Sequence, residues 1–574
     1  MTHAEGLADG QLARSALADL RRARRHRRTQ QIDLFEALYK AYITAIIGGI
    51  AVWVLSGLTG DHRLAAEAVR RVHQHGPQVV GLVVGLAWAV GIRSGGRGGP
   101  LVIEAADVRH VLLAPLGRAV VLRPVAVRQL RFGAFVGLVI GAIAGVLAFR
   151  RLPGPAWEWV ACCAVTGALT VAGSLGLAMV VSGRRLGRLA ERVPGAVFGS
   201  SAVGSLLAVL VAGWSVADLV EGTSTSPATW LGWFALGPLG WRPELAIGVV
   251  VALAAVVAGA TLIPGCSIEA AERRATLAGQ IRFAATMRDL RTVVVLRRQL
   301  AQELPRQRRP RRRARAWAGS SGWASPAWAA WSRGWHGIAR FPWLRTARLV
   351  VLGAAAGAAA EGAFHGTTPL VVLAGIALYV AALDVVEPLA QELDHPDRRD
   401  GYPLEAGELY LGLAGPSMVL MVLLCVVGAL VAFAIAGGNP VALEVGLVMA
   451  VPAAGCALAG AVTSVVQGPP TAGSSTDSLM PPEMAGARAV IRMAWPPLLA
   501  IIGVLPVLAG RHTSGQGAAP ASVVGAVGPW EILVALLVIG AGVWLRKRDR
   551  IHASFRDAMK DAAEAKRGAP ARGR

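Results

Sequence analysis

Lysine is nearly absent from this chain. It stands at Lys40, Lys547, Lys560 and Lys566, and the remaining 54 of the 58 basic residues are arginine. A nucleotide-binding loop needs a lysine behind a glycine-rich turn to reach the β- and γ-phosphates. None of the four lysines follows the required G-x-x-x-x-G, so the chain is expected to hydrolyse no ATP by itself. Cysteine is almost as scarce. Cys162, Cys163, Cys266, Cys425 and Cys456 lie in or beside apolar runs and form no C-x-x-C, which reads as small core residues rather than disulfide partners. H-E-x-x-H, G-x-S-x-G and any Cys/His set at metal spacing are missing as well. No catalytic, cofactor-binding or metal-ligating residue is therefore expected. His62, His73 and His75 share one short loop and read as solvated. The glycine run from Ser94 to Gly99 lacks the spacing of a dinucleotide loop and reads as a flexible turn.

Acids are sparse inside the apolar runs, where each one costs several kcal/mol. Glu361, Asp384 and Glu387 qualify by position, but they fall near the ends of their runs, where contact with interfacial water explains them. This sparseness weighs against a proton-driven carrier. The weight on Ala, Gly and Arg, all with GC-rich codons, suggests a high-GC bacterium.

What the chain has in abundance is apolar length. Over 574 residues, 54% are hydrophobic and the mean hydropathy is +0.51, which places it in the membrane class. The reading is an all-α polytopic membrane protein with about twelve spans in two six-helix halves. Spans of about twenty residues are expected near 41–58, 76–92, 132–149, 157–181, 195–217 and 244–264, and again near 346–363, 367–387, 411–436, 441–466, 489–510 and 528–545. The first run begins behind forty mostly polar residues, with no short apolar stretch and cleavage site before it, so the first span should be retained.

Between the halves lies the one long hydrophilic segment, residues 267–345. It holds 17 Arg, no Lys and four acids, a net charge of +13 out of +23 for the whole chain. Basic loops stay on the cytoplasmic face, so this segment and both termini are expected inside. The division is then a basic, amphipathic N-terminal segment (1–40), a first membrane half (41–266), the Arg-rich linker (267–345), a second half (346–545) and a basic tail (546–574). The Arg cluster from Arg21 to Arg28, followed by Leu34, Phe35 and Leu38, suits a helix lying on anionic lipid; nucleic acid is not an expected partner.

Packing also has a signature. Gly133, Gly137, Gly141 and Gly145 recur every four residues and make one smooth helix face, the device by which helices associate in lipid. Gly353 and Gly357 repeat it more weakly. The stretch 101–124 (LVIEAADVRHVLLAPLGRAVVLRP) is too hydrophobic for a free loop and too broken to span, and reads as short helices along the inner surface. Residues 272–303 form an amphipathic pattern with Leu277, Ile281, Met287, Leu290 and Leu300 on one face.

Three of these stretches, EAADVRHVLLAPLGR (104–118), QIRFAATMRDLRTVVVLRRQL (280–300) and EPLAQELDHPDRR (387–399), together with the topology, resemble the cytoplasmic portions of bacterial ABC exporter permeases of the ABC-2 kind. The resemblance implies a permease with no nucleotide site of its own, worked by a separate ABC ATPase, as a dimer, which would bind the ATP. It implies docking of that ATPase on short inner-surface helices, with Asp107, Arg109, Pro115 and Arg118 in one and Glu387, Pro388, Glu392 and Asp394 in the other. A six-plus-six chain departs from the commoner plan of one half per chain. The alternatives are a secondary carrier of the major-facilitator type, which uses a much shorter loop between its second and third spans; a membrane glycosyltransferase, for which Asp61 and Glu67 are the meagre outer acids; and a non-transporting scaffold.

Overall fold

The computed structural model describes residues 63–96, 101–112 in part, 117–183, 200–241, 244–266, 326–393, 404–466, 494–515 and 520–568, together with a few isolated positions. These residues are 89% helical and contain no strands. Among them ten helices are long and apolar enough to cross a membrane, eleven when one bent pair counts as a single span. The chain is an all-α, multi-pass membrane protein. Of the twelve expected spans, the first (41–58) lies outside the described residues; the other eleven each coincide with a helix or a bent pair. The chain divides into two compact units, Met1–Met287 and Arg288–Arg574, with the boundary inside the expected linker.

In the first unit the helices are α1 (Ala66–Gly96), α2 (Arg118–Arg151), α3 (Ala156–Ser182), α4 (Ser200–Glu221), the short α5 (Pro227–Ala235) and α6 (Glu244–Leu262). Helix α3 is the centre of the unit, touching α1, α2, α5 and α6. Its sequence explains how. Gly167 faces the Gly137 carbonyl of α2, Gly173 faces the Trp88 indole of α1, and Gly176 faces the Ala255 carbonyl of α6. Three bare faces admit three neighbours, and where lipid is as apolar as leucine such close contact is what holds helices together. The outward side of α2 presents Phe132, Phe135 and Ile140, all well exposed, as a lipid-facing surface requires.

Two expectations change in this unit. His73 and His75, expected in a loop, lie on α1, which starts at Ala66. The ring of His73 meets Trp233 of α5 edge-on at 5.3 Å. The second half of the 101–124 stretch is no surface helix, since α2 already begins at Arg118 and carries Pro124 inside it. Val121, Leu122, Ala126 and Leu130 bury there against Met179 and Ile263, and Leu101, Ile103, Val108 and Leu112 join the same core. That burial outweighs the one helical hydrogen bond that Pro124 removes.

The second unit comprises α7 (Pro326–Ala339), α8 (Trp343–Phe364), α9 (Leu370–Val385), α10 (Glu387–Leu393), α11 (Ala406–Ile435), α12 (Pro440–Val466), α13 (494–502), α14 (Val507–Gly515) and α15 (Pro520–Gly568). Helices α11 and α12 form its middle, with α7, α8 and α15 packed on α11 and with α9 and α15 packed on α12. Helix α7 falls within the expected linker yet belongs to the bundle. Helix α15 runs through the expected tail as far as Gly568, because residues 546–567 offer no proline or glycine to stop it. The same helix starts at Pro520, eight residues earlier than the apolar run suggests. One expected span (489–510) is interrupted: residues 503–506 form turns between α13 and α14.

Candidate functional site: a charged elbow and three buried carboxylates

The glycines at 133, 137, 141 and 145 are all buried on α2. A Cβ on Gly137, Gly141 or Gly145 would fall closer than 3.0 Å to the backbone of Gly167, Cys163 or Trp159 on α3, and one on Gly133 would meet the Leu175 side chain. Here the sequence pattern and the helix contact coincide residue for residue. Of the residues expected to dock an ATPase, Asp107, Arg109, Pro115 and Asp394 lie outside the described residues. Arg118 opens α2.

Glu387, Pro388 and Glu392 all sit on α10, a helix of seven residues bent by 54° from α9. The bend is held from several sides. Arg333 of α7 donates through Nε and one terminal nitrogen to Oε1 of Glu392, at 2.8 and 2.5 Å. Glu392 is only 5% exposed, so the pair is partly withdrawn from water. Arg345 of α8 pairs with Glu387 at 3.6 Å and donates to the carbonyl of Asp384, while Arg348 pairs with the Asp384 carboxylate. Pro388 packs against Gly337 of α7, and Leu389 is fully buried. Ser417 of α11 completes the bracing by donating to the carbonyl of Val385 at 3.1 Å. Asp384 and Glu387, expected to be held by interfacial water alone, are paired with arginines. The result is an elbow between α9 and α10 braced by three arginines.

Glu361, also expected to rest on interfacial water, is 5% exposed and bonded to His365 at 2.8 Å, one turn further along. It forms the polar part of a cleft between α8, α9, α11, α12 and the α13–α14 turn, lined further by Gly357, Phe364, Leu378, Gly428 and Met449. The cleft holds about 630 Å³ of space not filled by atoms, part of it open to the exterior. An apolar wall with one buried acid suits a greasy molecule that carries a donor or a positive charge.

Two buried carboxylates were not legible as such in the sequence. Asp218, at the end of α4, is 1% exposed. One oxygen accepts from Thr223 Oγ1 (2.9 Å), Thr225 Oγ1 (2.7 Å) and the Thr225 amide (3.1 Å); the other accepts from the Ser226 amide (2.8 Å) and Thr229 Oγ1 (2.7 Å). Ser226 in turn caps α5, its hydroxyl accepting from the Thr229 amide at 3.2 Å. The run TSTSPAT shortly after Asp218 was the available signal: a cluster of hydroxyls and amides with one acid to serve. Glu531 on α15 is the opposite case. It is 9% exposed, and among the described residues neither carboxylate oxygen has a hydrogen-bond partner.

Among the described residues, no three His, Cys, Asp or Glu side chains stand together as a metal ion would require. No protein-family model matches the chain, and comparison with curated proteins and with solved structures finds no match either.

Proposed function

We propose that this chain is the membrane-spanning permease of an ABC-type exporter, driven by a separate ATPase subunit and moving its substrate across the cytoplasmic membrane of a bacterium. In this reading both termini and the Arg-rich linker are cytoplasmic, because arginine near span ends resists translocation. The observation that carries it is the elbow of α9 and α10. A motor subunit transmits force only through an element that does not yield, and α10 is fixed by Arg333 of α7 and Arg345 of α8, while Arg348 of α8 holds Asp384 at the end of α9. The arginines of α7 and α8 then lie on the side from which a cytoplasmic ATPase would push, with anionic lipid around them. The nucleotide belongs to the partner, since no lysine here follows a phosphate-binding loop.

The test is reconstitution. The permease alone should turn over no ATP, and adding a cognate ABC ATPase should give a complex that crosslinks to the segments 104–118 and 387–399. Reversing the charge of Asp107 and Arg118 together should abolish that association while leaving membrane insertion intact; the same reversal at Arg308 and Arg312 should not. Equal retention of the partner by both variants would sink the docking assignment.

A second reading, a secondary carrier of the major-facilitator type, is favoured by Glu531, since an unpartnered acid inside a bundle is a feature of ion-coupled transport. Substrate movement in vesicles holding only this chain, driven by a pH gradient without ATP, would select it.

A further inference from the structure

Glu531 lies well inside its span. Helix α15 starts at Pro520, so the carboxyl sits about 16 Å along the axis from that end, at 1.5 Å per residue, and a bilayer core is about 30 Å thick. Its direction is equally clear. Val527, Glu531 and Val534 are buried along one face, while Trp530, Ile532, Leu533 and Leu536 are exposed. The acid therefore points into the bundle and the greasy face points out.

Among the described residues, what surrounds it is nearly devoid of charge. From α12, the ionisable group within electrostatic reach is the buried Cys456. On α14, Arg511 donates to Thr368 at 2.8 Å, and the approach to α15 is made by Gly510 against Val523 and Val527; His512 follows on the same helix. Helix α13 carries no ionisable residue. From α11, Glu408 and Glu405 pair with Arg546 and Arg550 of α15 at 2.9 and 2.5 Å, which is about 22 Å or more along the axis from Glu531; Tyr410 lies next to that end. A bare carboxylate in such a place costs several kcal/mol. A hard cation would require several oxygens around it, whereas a proton requires only the carboxyl itself.

We propose that Glu531 is a proton-binding site. The carboxyl holds its proton while the seam between α12 and α15 is closed, and gives it to water when the seam opens, leaving a carboxylate that water must then solvate. Closing the seam takes the proton back. The neighbouring interruption supplies a place for the seam to give. The amides of Val504 and Val507 bond three residues back instead of four, Pro506 has no amide to offer, and Gly503 rests against Ala453 and Cys456. Proton binding at Glu531 thus reports the state of the bundle whether an ATPase or an ion gradient moves it.

The experiment is carbodiimide modification of the purified full chain in detergent, mapped by mass spectrometry, since the reagent attacks protonated carboxyls in apolar surroundings. Glu531 should be modified at pH 6, at least tenfold less at pH 9, and at least tenfold more than the paired Glu392 at pH 6. Absence of modification at Glu531 in protein that melts cooperatively would overturn the proposal. So would suppression by sodium chloride but not by choline chloride, which would make the site one for sodium. E531Q copies the protonated group. It should melt with wild type near pH 4 and several degrees above it at pH 9, because the carboxyl of the unfolded chain ionises from about pH 4.3 upward while the buried one resists, so wild type alone loses stability as pH rises through that range. Parallel loss by both proteins would also overturn the proposal, and E531A distinguishes a lost proton site from lost packing by melting lower than E531Q at both pH values.

Discussion

Arg333 on α7 and Glu392 on α10 are joined by two hydrogen bonds to a single carboxylate oxygen, across 59 residues of sequence. The acid is buried and the arginine is about half open to solvent, 7% and 43% by side chain. The pair therefore stands between a surface ion pair, worth at most about 1 kcal/mol, and a buried one, whose breakage costs about 3–5 kcal/mol. Replacing Arg333 with glutamine should cost about 2 kcal/mol, between those two limits, read as a lower melting temperature of the purified protein. The double change with Glu392→Gln should recover part of the loss, since it removes the stranded charge along with its partner. A double variant no better than Arg333→Gln would show that the elbow is held by packing alone.

The seam between α2 and α3 makes a sharper demand. Gly141 lies so close to the Cys163 carbonyl that no side chain fits between the helices. Gly141→Val should therefore force the two backbones apart and cost about 3 kcal/mol, the upper range for overpacking. Gly525→Ala is the matched control, because a Cβ there meets nothing within 4 Å and a helical alanine is favoured by roughly 0.5–1 kcal/mol. Thermal unfolding of fluorescently tagged variants in detergent would compare them. Equal melting temperatures would refute the close approach.

Asp218 organises a turn by accepting five hydrogen bonds. An asparagine side chain in its place would set an NH₂ group against these donors, so Asp218→Asn should cost about 2–4 kcal/mol, as expected for losing charge-assisted bonds. Thr223→Ala removes a single donor and should cost about 1 kcal/mol. The order matters more than the values. Limited proteolysis should cut the 222–226 turn faster in the first variant than in the second, and the reverse order would contradict the assigned role of the carboxylate.

How far the sequence reveals this molecule differs from feature to feature. Period and length sufficed for the spans, because a run of twenty apolar residues has few other uses. The glycines of α2 were legible because a spacing of four on a helix puts them on one face, and only contact uses a bare face. Glu531 was hidden by a boundary. Reading α15 from the apolar run alone puts its start near residue 528 and leaves the acid at the rim; the eight preceding residues, rich in alanine and valine, are helical too and move it inward. The pairing of Glu392 with Arg333 was beyond reach, since nothing in either stretch names the other. Local pattern identifies the element, but not the partner that lies 59 residues away.

Helix α15 is 49 residues long, about 74 Å at 1.5 Å per residue. Its apolar stretch ends at Lys547, so about 31 Å of rod stands beyond it. Just where it emerges, Gly407 of α11 lies against the Arg546 backbone in a close approach that pins the rod, flanked by the exposed pairs Arg546–Glu408 and Arg550–Glu405. A clamp at the root and a long arm beyond it make a lever. Tilting the span by about 10° would carry the far end sideways by about 5 Å, given that length, so a rearrangement too small to matter within the bilayer becomes a side chain's width of travel in water.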